Sequence, residues 1–276
     1  MILLQQKGRH SSMADTILTP LSHPAAAPLK VRAAVFSPTG GSMNASYLLA
    51  SMFTNKPEMI DLTEPASRRA EITFAADELC IMTAPCYGGR IPYVPGLFEN
   101  LRGNGTPCIV VGTYGNRACE HNCAQMQKIA EDNGFIVIGA ITLVTPHTFA
   151  ALAGRNRPDM KDLAVMRAFA DAVINKIETG SLNAVAIEGD PSPSFHRDIF
   201  KQHVINAEKC GRCGKCISAC PTGAIDAATL AADPAACIAC QRCTFICPAS
   251  ARTFVSDWNA VDAKLFAPRK EIEYIV

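Results

Sequence analysis

Thiolate sulfur suits soft metals and iron–sulfur clusters, and this chain carries most of its thiols in two matching runs. Eight of its 13 cysteines fall between Cys210 and Cys247. The first run is Cys210-Gly-Arg-Cys213-Gly-Lys-Cys216-Ile-Ser-Ala-Cys220-Pro221, and the second is Cys237-Ile-Ala-Cys240-Gln-Arg-Cys243-Thr-Phe-Ile-Cys247-Pro248. Both read C-x2-C-x2-C-x3-C-P. Three thiolates at that spacing on one turning loop hold three irons of a cubane cluster. The fourth, on a short helix, reaches the other cluster. The crossed assignment groups Cys210, Cys213, Cys216 and Cys247 in one set, and Cys237, Cys240, Cys243 and Cys220 in the other. Structural zinc prefers C-x2-C pairs parted by a spacer and has no use for a third cysteine two residues on.

Disulfides need an oxidising compartment. The apolar start Met1 to Leu4 turns polar at once and does not read as a secretory signal. The longest near-apolar run, Phe135 to Val144, is shorter than the ~20 residues that span a bilayer. The expectation is a cytoplasmic protein with reduced thiols and no membrane span. With 26 Lys+Arg against 25 Asp+Glu the net charge is +1, without the basic excess of a nucleic-acid binder. At 49% apolar and 18% charged, the 276 residues are globular in composition and long enough for two domains.

From about Phe200 to Asp257 the chain resembles the bacterial two-[4Fe-4S] ferredoxins, including Pro221 to Ile225 and Pro248 to Ala251. Many such ferredoxins are strongly acidic, whereas here Arg212, Lys215 and Arg242 interleave with the ligands. Positive charge beside a cluster favours its reduced form, so a somewhat raised potential is expected.

The elements ahead of this module read as alternating strands and helices. Apolar runs at Lys30–Phe36, Met59–Thr63, Glu78–Ala84, Pro107–Thr113 and Phe135–Thr142 do not alternate, as expected of parallel strands buried on both faces. Helical stripes lie at Ala45, Leu48, Leu49 and Met52, and at Cys119, Cys123, Met126 and Ala130. A third lies at Met166, Phe169, Val173 and Ile177, with Asp159 as N-cap. The expectation is a doubly wound α/β sheet. The stretch Thr63 to Asp77 shows no helical stripe, so one sheet face is expected to be less covered there, with the ferredoxin module as its cover.

Three loops at carboxyl ends of these strands form a candidate binding crevice. The first, Ser37-Pro-Thr39-Gly40-Gly41-Ser42-Met-Asn44, stands between a strand and a helix N-terminus and offers only neutral donors, suited to a phosphate monoester. It is neither a P-loop nor a dinucleotide fingerprint. The second is Pro85-Cys86-Tyr87-Gly88-Gly89-Arg90-Ile91-Pro92, and the third is Thr113-Tyr114-Gly115-Asn116-Arg117. Each sets an aromatic beside glycine, so that a flat ring can stack while amides bond its edge. Ser37 to Ser42 resembles the phosphate loop of the flavodoxin-like family. That resemblance covers about 150 residues and implies FMN on a five-stranded parallel sheet of order 2-1-3-4-5. From Lys30 to the tail Pro268–Val276 the combination resembles flavodoxin–ferredoxin fusion proteins.

The expected organisation is an irregular extension at 1–29 (with Met13 as a second candidate start), a flavodoxin-like domain at 30–179, a linker at 180–199, a small α+β two-[4Fe-4S] domain at 200–257 and a tail at 258–276. Cys80, Cys108, Cys119 and Cys123 read as small core hydrophobes, while Cys86 borders the flavin loop and stays open as a reactive thiol. His121 reads as a surface residue. His147 reads as a flavin-edge or a loop hydrogen-bonding residue, Arg90 and Arg117 as flavin neutralisers or solvent-facing cations, and Trp258 as packing. No acid–base pair or nucleophile stands out, so no catalytic residue is assigned. The first functional expectation is electron transfer between FMN and two [4Fe-4S] clusters, with redox proteins as partners. The alternatives are a flavin-dependent reductase of a small substrate fed through the clusters, and a redox-sensing interaction module.

Overall fold

A computed structural model of the chain describes residues 29–150, 152–193, 203–254 and 268–276. The extension at 1–28, part of the linker and Trp258 lie outside the described residues.

The buried apolar runs become strands. In chain order the first part of the chain builds β1 (Lys30–Val35), α1 (Gly41–Ala50), β2 (Glu58–Asp61), a 3-10 turn (Pro65–Arg68), β3 (Ile72–Thr73), β4 (Glu78–Pro85), β5 (Leu101–Arg102), β6 (Thr106–Tyr114), α2 (Asn122–Asp132), β7 (Phe135–Val144) and α3 (Met160–Glu178). The remainder adds β8 (His203–Ile205), α4 (Lys215–Ser218), α5 (Arg242–Phe245), β9 (Arg252–Phe254) and β10 (Tyr274–Ile275).

The main sheet has six strands, in the order β10-β7-β6-β4-β1-β2. Four neighbouring pairs are parallel. The fifth, β10 with β7, is antiparallel, with Tyr274 opposite Ile141 and Ile275 opposite Ala140. The expected sheet had five strands; the sixth comes from the tail. Two residues are too few to show a period, but the contact is real pairing. The Thr142 amide donates to Glu273 O at 2.9 Å, and the Glu273 amide returns a bond to the Thr142 hydroxyl.

Helices α1 and α3 cover one face, burying Ala45, Leu49, Met166, Phe169 and Val173 against β1, β6 and β7. Each large side chain so buried contributes about 1.5–3 kcal/mol. Asp159 caps α3, accepting from the amides of Lys161 and Asp162, while the Asp162 carboxylate accepts from the Asp159 amide. On the other face α2 supplies Met126 and Ala130. Between β2 and β4 only the 3-10 turn and β3 appear among the described residues, as the missing stripe implied. Phe74, Leu97 and Phe98 fill that side of the core, joined by Ile238 from the cysteine-rich module.

The segment expected as a linker is pinned at its start. The Val185 amide donates to Val137 O, Gln127 bonds both Val185 and Ile187, and Gln125 donates to Ser192 O.

Candidate functional site

The two cysteine runs repeat in backbone conformation as well as in spacing. Arg212 and Ala239 occupy matching positions and both take positive φ, 50° and 54°. The same holds for Gly214 and Gln241, 75° and 64°, and for Gly223 and Ser250, 66° and 46°. For residues other than glycine each left-handed position costs roughly 1–2 kcal/mol, and such strain collects where a loop must aim its side chains at a ligand. Gly214 and Gln241 are the residues that turn the chain into α4 and α5. The fourth cysteines match too: the Ala224 amide donates to Cys220 Sγ and the Ala251 amide to Cys247 Sγ, both at 3.3 Å.

These loops enclose two separate cavities. The outer one, about 460 Å3 and partly open, is lined by Cys210, Cys213, Cys216 and Cys247. The inner one, about 320 Å3, is lined by Cys220, Cys237, Cys240 and Cys243. The structure thus brings the eight thiols together in the two crossed sets. Among the described residues no three His, Cys, Asp or Glu groups converge tightly enough for a single metal ion. Four thiolates lining one such space are the donor set of a four-iron cluster.

The two surroundings differ. The inner cavity has no charged lining residue, and Cys237, Cys240 and Cys243 are buried. Burial pushes the Cys240 thiol well up and the Cys243 thiol to about 11, so iron must displace protons to bind there. The outer cavity carries three cations, Arg212, Lys215 and Arg252, and Cys213 is exposed.

The inner set abuts the first domain. Arg68, buried at the 3-10 turn, donates to Pro221 O at 2.7 Å as well as to Leu62 O and Thr63 O. Pro221 and Ile238 both line the inner cavity. Burial, with the Cys240 sulfur nearby, pushes the Tyr87 phenol well above its ordinary range. Arg242 of α5 donates to Pro38 O at 3.2 Å and to Glu64 Oε1 at 3.1 Å. A cleft of about 590 Å3 runs beneath this contact, lined by Thr39, Gly40, Met43, Asp61, Phe245 and others. Elsewhere the modules meet where Phe149 stacks on Phe254 at 5.1 Å.

In the first loop, the Ser37 hydroxyl accepts from the Met43 amide at 2.9 Å, and the Ser42 hydroxyl is hydrogen-bonded to that of Thr113 at 2.7 Å. Both hydroxyls thus brace the loop from inside. Thr39, the exposed Gly40, Gly41 and the exposed Asn44 form its outer rim. Gly40 takes φ +89°, and a Cβ there would meet nothing within 4 Å, so the helix entrance opens onto free space.

The third loop departs from expectation. Tyr114 is not a free stacking platform: its ring is buried in the core and its hydroxyl donates to Glu271 O at 3.4 Å. Asn116 turns to the tail, donating to Pro268 O at 3.0 Å and accepting from the Lys270 amide at 3.1 Å. Gly115 lies beneath His147, whose ring would clash with any Cβ. For Tyr114 and Asn116 the physical reason is the same: the tail returns across this loop. The second loop keeps the half-buried Pro85 and Tyr87 and the exposed Gly88, while Gly89 sits under the Glu120 carboxylate.

The remaining candidates serve structure. Arg90 pairs with Asp190 and donates to Ser192 O at 2.7 Å. Arg117 pairs with Glu120. His147 Nδ1 accepts from the amides of Phe149 and Ala150 at 3.1 Å. His121, expected at the surface, is half-buried and accepts from the Asp190 amide. Cys80, Cys108, Cys119 and Cys123 are buried, and Cys86 Sγ lies 3.3 Å from Cys119 O as donor. Arg68 and Arg242 are the site residues that sequence reasoning missed as domain contacts; the Arg68-Arg69 pair in the 63–77 stretch was the available signal.

A 4Fe-4S binding domain family matches residues 203–226. This stretch contains the whole first cysteine run. No curated protein matches the chain. The match and the clustered thiols support iron–sulfur electron transfer through a 4Fe-4S cluster. No helix among the described residues is long and apolar enough to cross a membrane.

Proposed function

We propose that the protein is an electron-transfer flavo-iron-sulfur protein, with two [4Fe-4S] clusters in the second module and FMN at the carboxyl ends of a flavodoxin-like sheet. One observation carries the reading: there are two four-cysteine cavities, and the inner one abuts the first domain where Arg68 donates to Pro221 O. When bound, such clusters supply one-electron transfer and FMN exchanges one-electron for two-electron chemistry.

The chain's own residues supply position and environment. Cys210, Cys213, Cys216 and Cys247 would hold the outer cluster, and Cys220, Cys237, Cys240 and Cys243 the inner. Amides of Ala224, Ala239 and Ala251 donate to ligand sulfurs and so stabilise negative charge on them. Thr39, Gly40, Gly41 and Asn44 would bind the FMN phosphate at the α1 N-terminus, where amides and the helix dipole favour an anion. Tyr87 and Gly88 would contact the ring. Arg68, Arg242 and Ile238 fix the inner set against this domain, which keeps the separation short and excludes water.

The test is low-temperature EPR of the dithionite-reduced protein. Two neighbouring clusters give a spin-coupled spectrum integrating to about two spins per chain. One isolated spin, or none, overturns the two-cluster reading. Free FMN fluorescence after heat release reads the flavin separately.

A further inference from the structure

The charges around the outer cavity point to a partner. Of the lining residues, Arg212, Lys215 and Arg252 are cationic and none is a carboxylate. Arg212 and Lys215 are exposed and flank the exposed Cys213. Lys209, also exposed, extends the cationic side. From Val204 to Cys216 the chain carries three cations against one carboxylate, Glu208. Among the described residues Lys209, Arg212 and Lys215 have no carboxylate partner; Arg212 donates only to Ala228 O. Several arginines elsewhere are tied up: Arg32, Arg90, Arg157 and Arg269 all sit in ion pairs. Lys209, Arg212 and Lys215 thus cluster beside the exposed Cys213 in a chain of net charge +1.

Resting on the two-cluster reading above, we propose that this face is the docking surface for an acidic electron-carrier protein, one whose own redox centre is ringed by carboxylates. Three unpaired cations raise the local potential and steer an oppositely charged face into contact, while like charge rejects a basic one. The inner cavity cannot serve: its lining is uncharged and one side is closed by Pro221 and Ile238 against the first domain. The contact is held by long-range attraction between exposed groups. It therefore weakens as the Debye length falls below ~10 Å near 0.1 M salt.

Calorimetry on the full, cluster-loaded chain tests this, with a strongly acidic plant-type [2Fe-2S] ferredoxin as probe and basic cytochrome c as opposite-charge control. Lys209→Glu/Arg212→Glu/Lys215→Glu should weaken ferredoxin binding at least tenfold at low salt and strengthen cytochrome c binding. The neutral variant Arg212→Gln/Lys215→Gln should show a smaller loss in the same direction. Lys56→Glu, exposed on the turn leading into β2 at the opposite end of the sheet, should change either affinity less than twofold. Equal ferredoxin affinity in wild type and charge-reversed protein, or an equal loss in Lys56→Glu, overturns the proposal. Iron content is read on each preparation. About four irons per chain in the wild type would contradict the two-cluster reading yet leave the affinity comparison to decide the docking face.

Discussion

Arg242 donates from Nη1 to the carbonyl oxygen of Pro38, 3.2 Å away, and so ties the cysteine-rich module to the loop that opens α1. Its Nη2 bonds Glu64 Oε1, while its buried Nε has no partner. The cation thus sits within one residue of Cys243 and directly on the proposed phosphate loop. A charge-assisted bond of this kind contributes roughly 1.5–3 kcal/mol when desolvated. Arg242→Ala should cost about 1–2 kcal/mol in denaturant unfolding of the loaded protein, and Arg242→Lys should recover only part, because one ammonium cannot span both acceptors. An unchanged midpoint for Arg242→Ala would show that the two modules do not hold together here.

Asn116 offers a sharper comparison. It takes φ +63° and bridges Pro268 and Lys270 through its side chain. Asn116→Gly removes the bridge but relieves the backbone, whereas Asn116→Ala removes the bridge and keeps the strain. Alanine should therefore be less stable than glycine by about 1 kcal/mol. Equal stability of the two variants would mean that the left-handed backbone is not maintained.

Much of this arrangement is legible in the sequence, and the exceptions share one cause. β4, β6 and β7 announce themselves because strands buried on both faces must be apolar throughout, and α3 because Asp159 caps a regular stripe. The grouping of cysteines follows from spacing, since a turning loop can aim only its own three thiols inward. Long-range pairings are another matter. Nothing near Tyr114 or Asn116 signals that residues 268 to 271 will cover them, about 150 positions later. Nothing in the two runs says that Pro221 of the first and Ile238 of the second face Arg68 and the core. Those outcomes depend on surfaces built by distant segments. The matching of Arg212 with Ala239 and of Ser250 with Gly223 is a backbone repeat hidden under unlike side chains.

The tail carries a pH signature. The Arg269 guanidinium, chief among its partners, holds the Asp159 carboxyl at about 2, below its ordinary 3.8. A carboxyl whose pKa is depressed on folding adds stability above the unfolded value and loses it as pH falls through the folded one. This contribution should be present above about pH 4 and fade between pH 4 and 2. Arg269→Gln should flatten that dependence in acid unfolding; an identical acid limb in both proteins would remove the pair from the account. Asp159 is partly exposed, so the slope and not its size is the readout.

The cations by the outer cavity should tune its centre. Removing one exposed charge a few ångströms away changes the interaction by on the order of 1 kcal/mol, or about 40 mV for one electron. Arg212→Gln and Lys215→Gln should each lower one of two resolved potentials in film voltammetry and leave the other nearly unmoved. No downward shift would contradict the assignment of these cations to the outer site.

The central claim is that two crossed cysteine sets and an FMN loop coexist in one chain. Analysis of protein purified without oxygen tests it most directly. The account requires about eight irons, eight sulfides and one extractable FMN per chain, from two cubanes of four cysteines each. Roughly one zinc per chain with no flavin would contradict it.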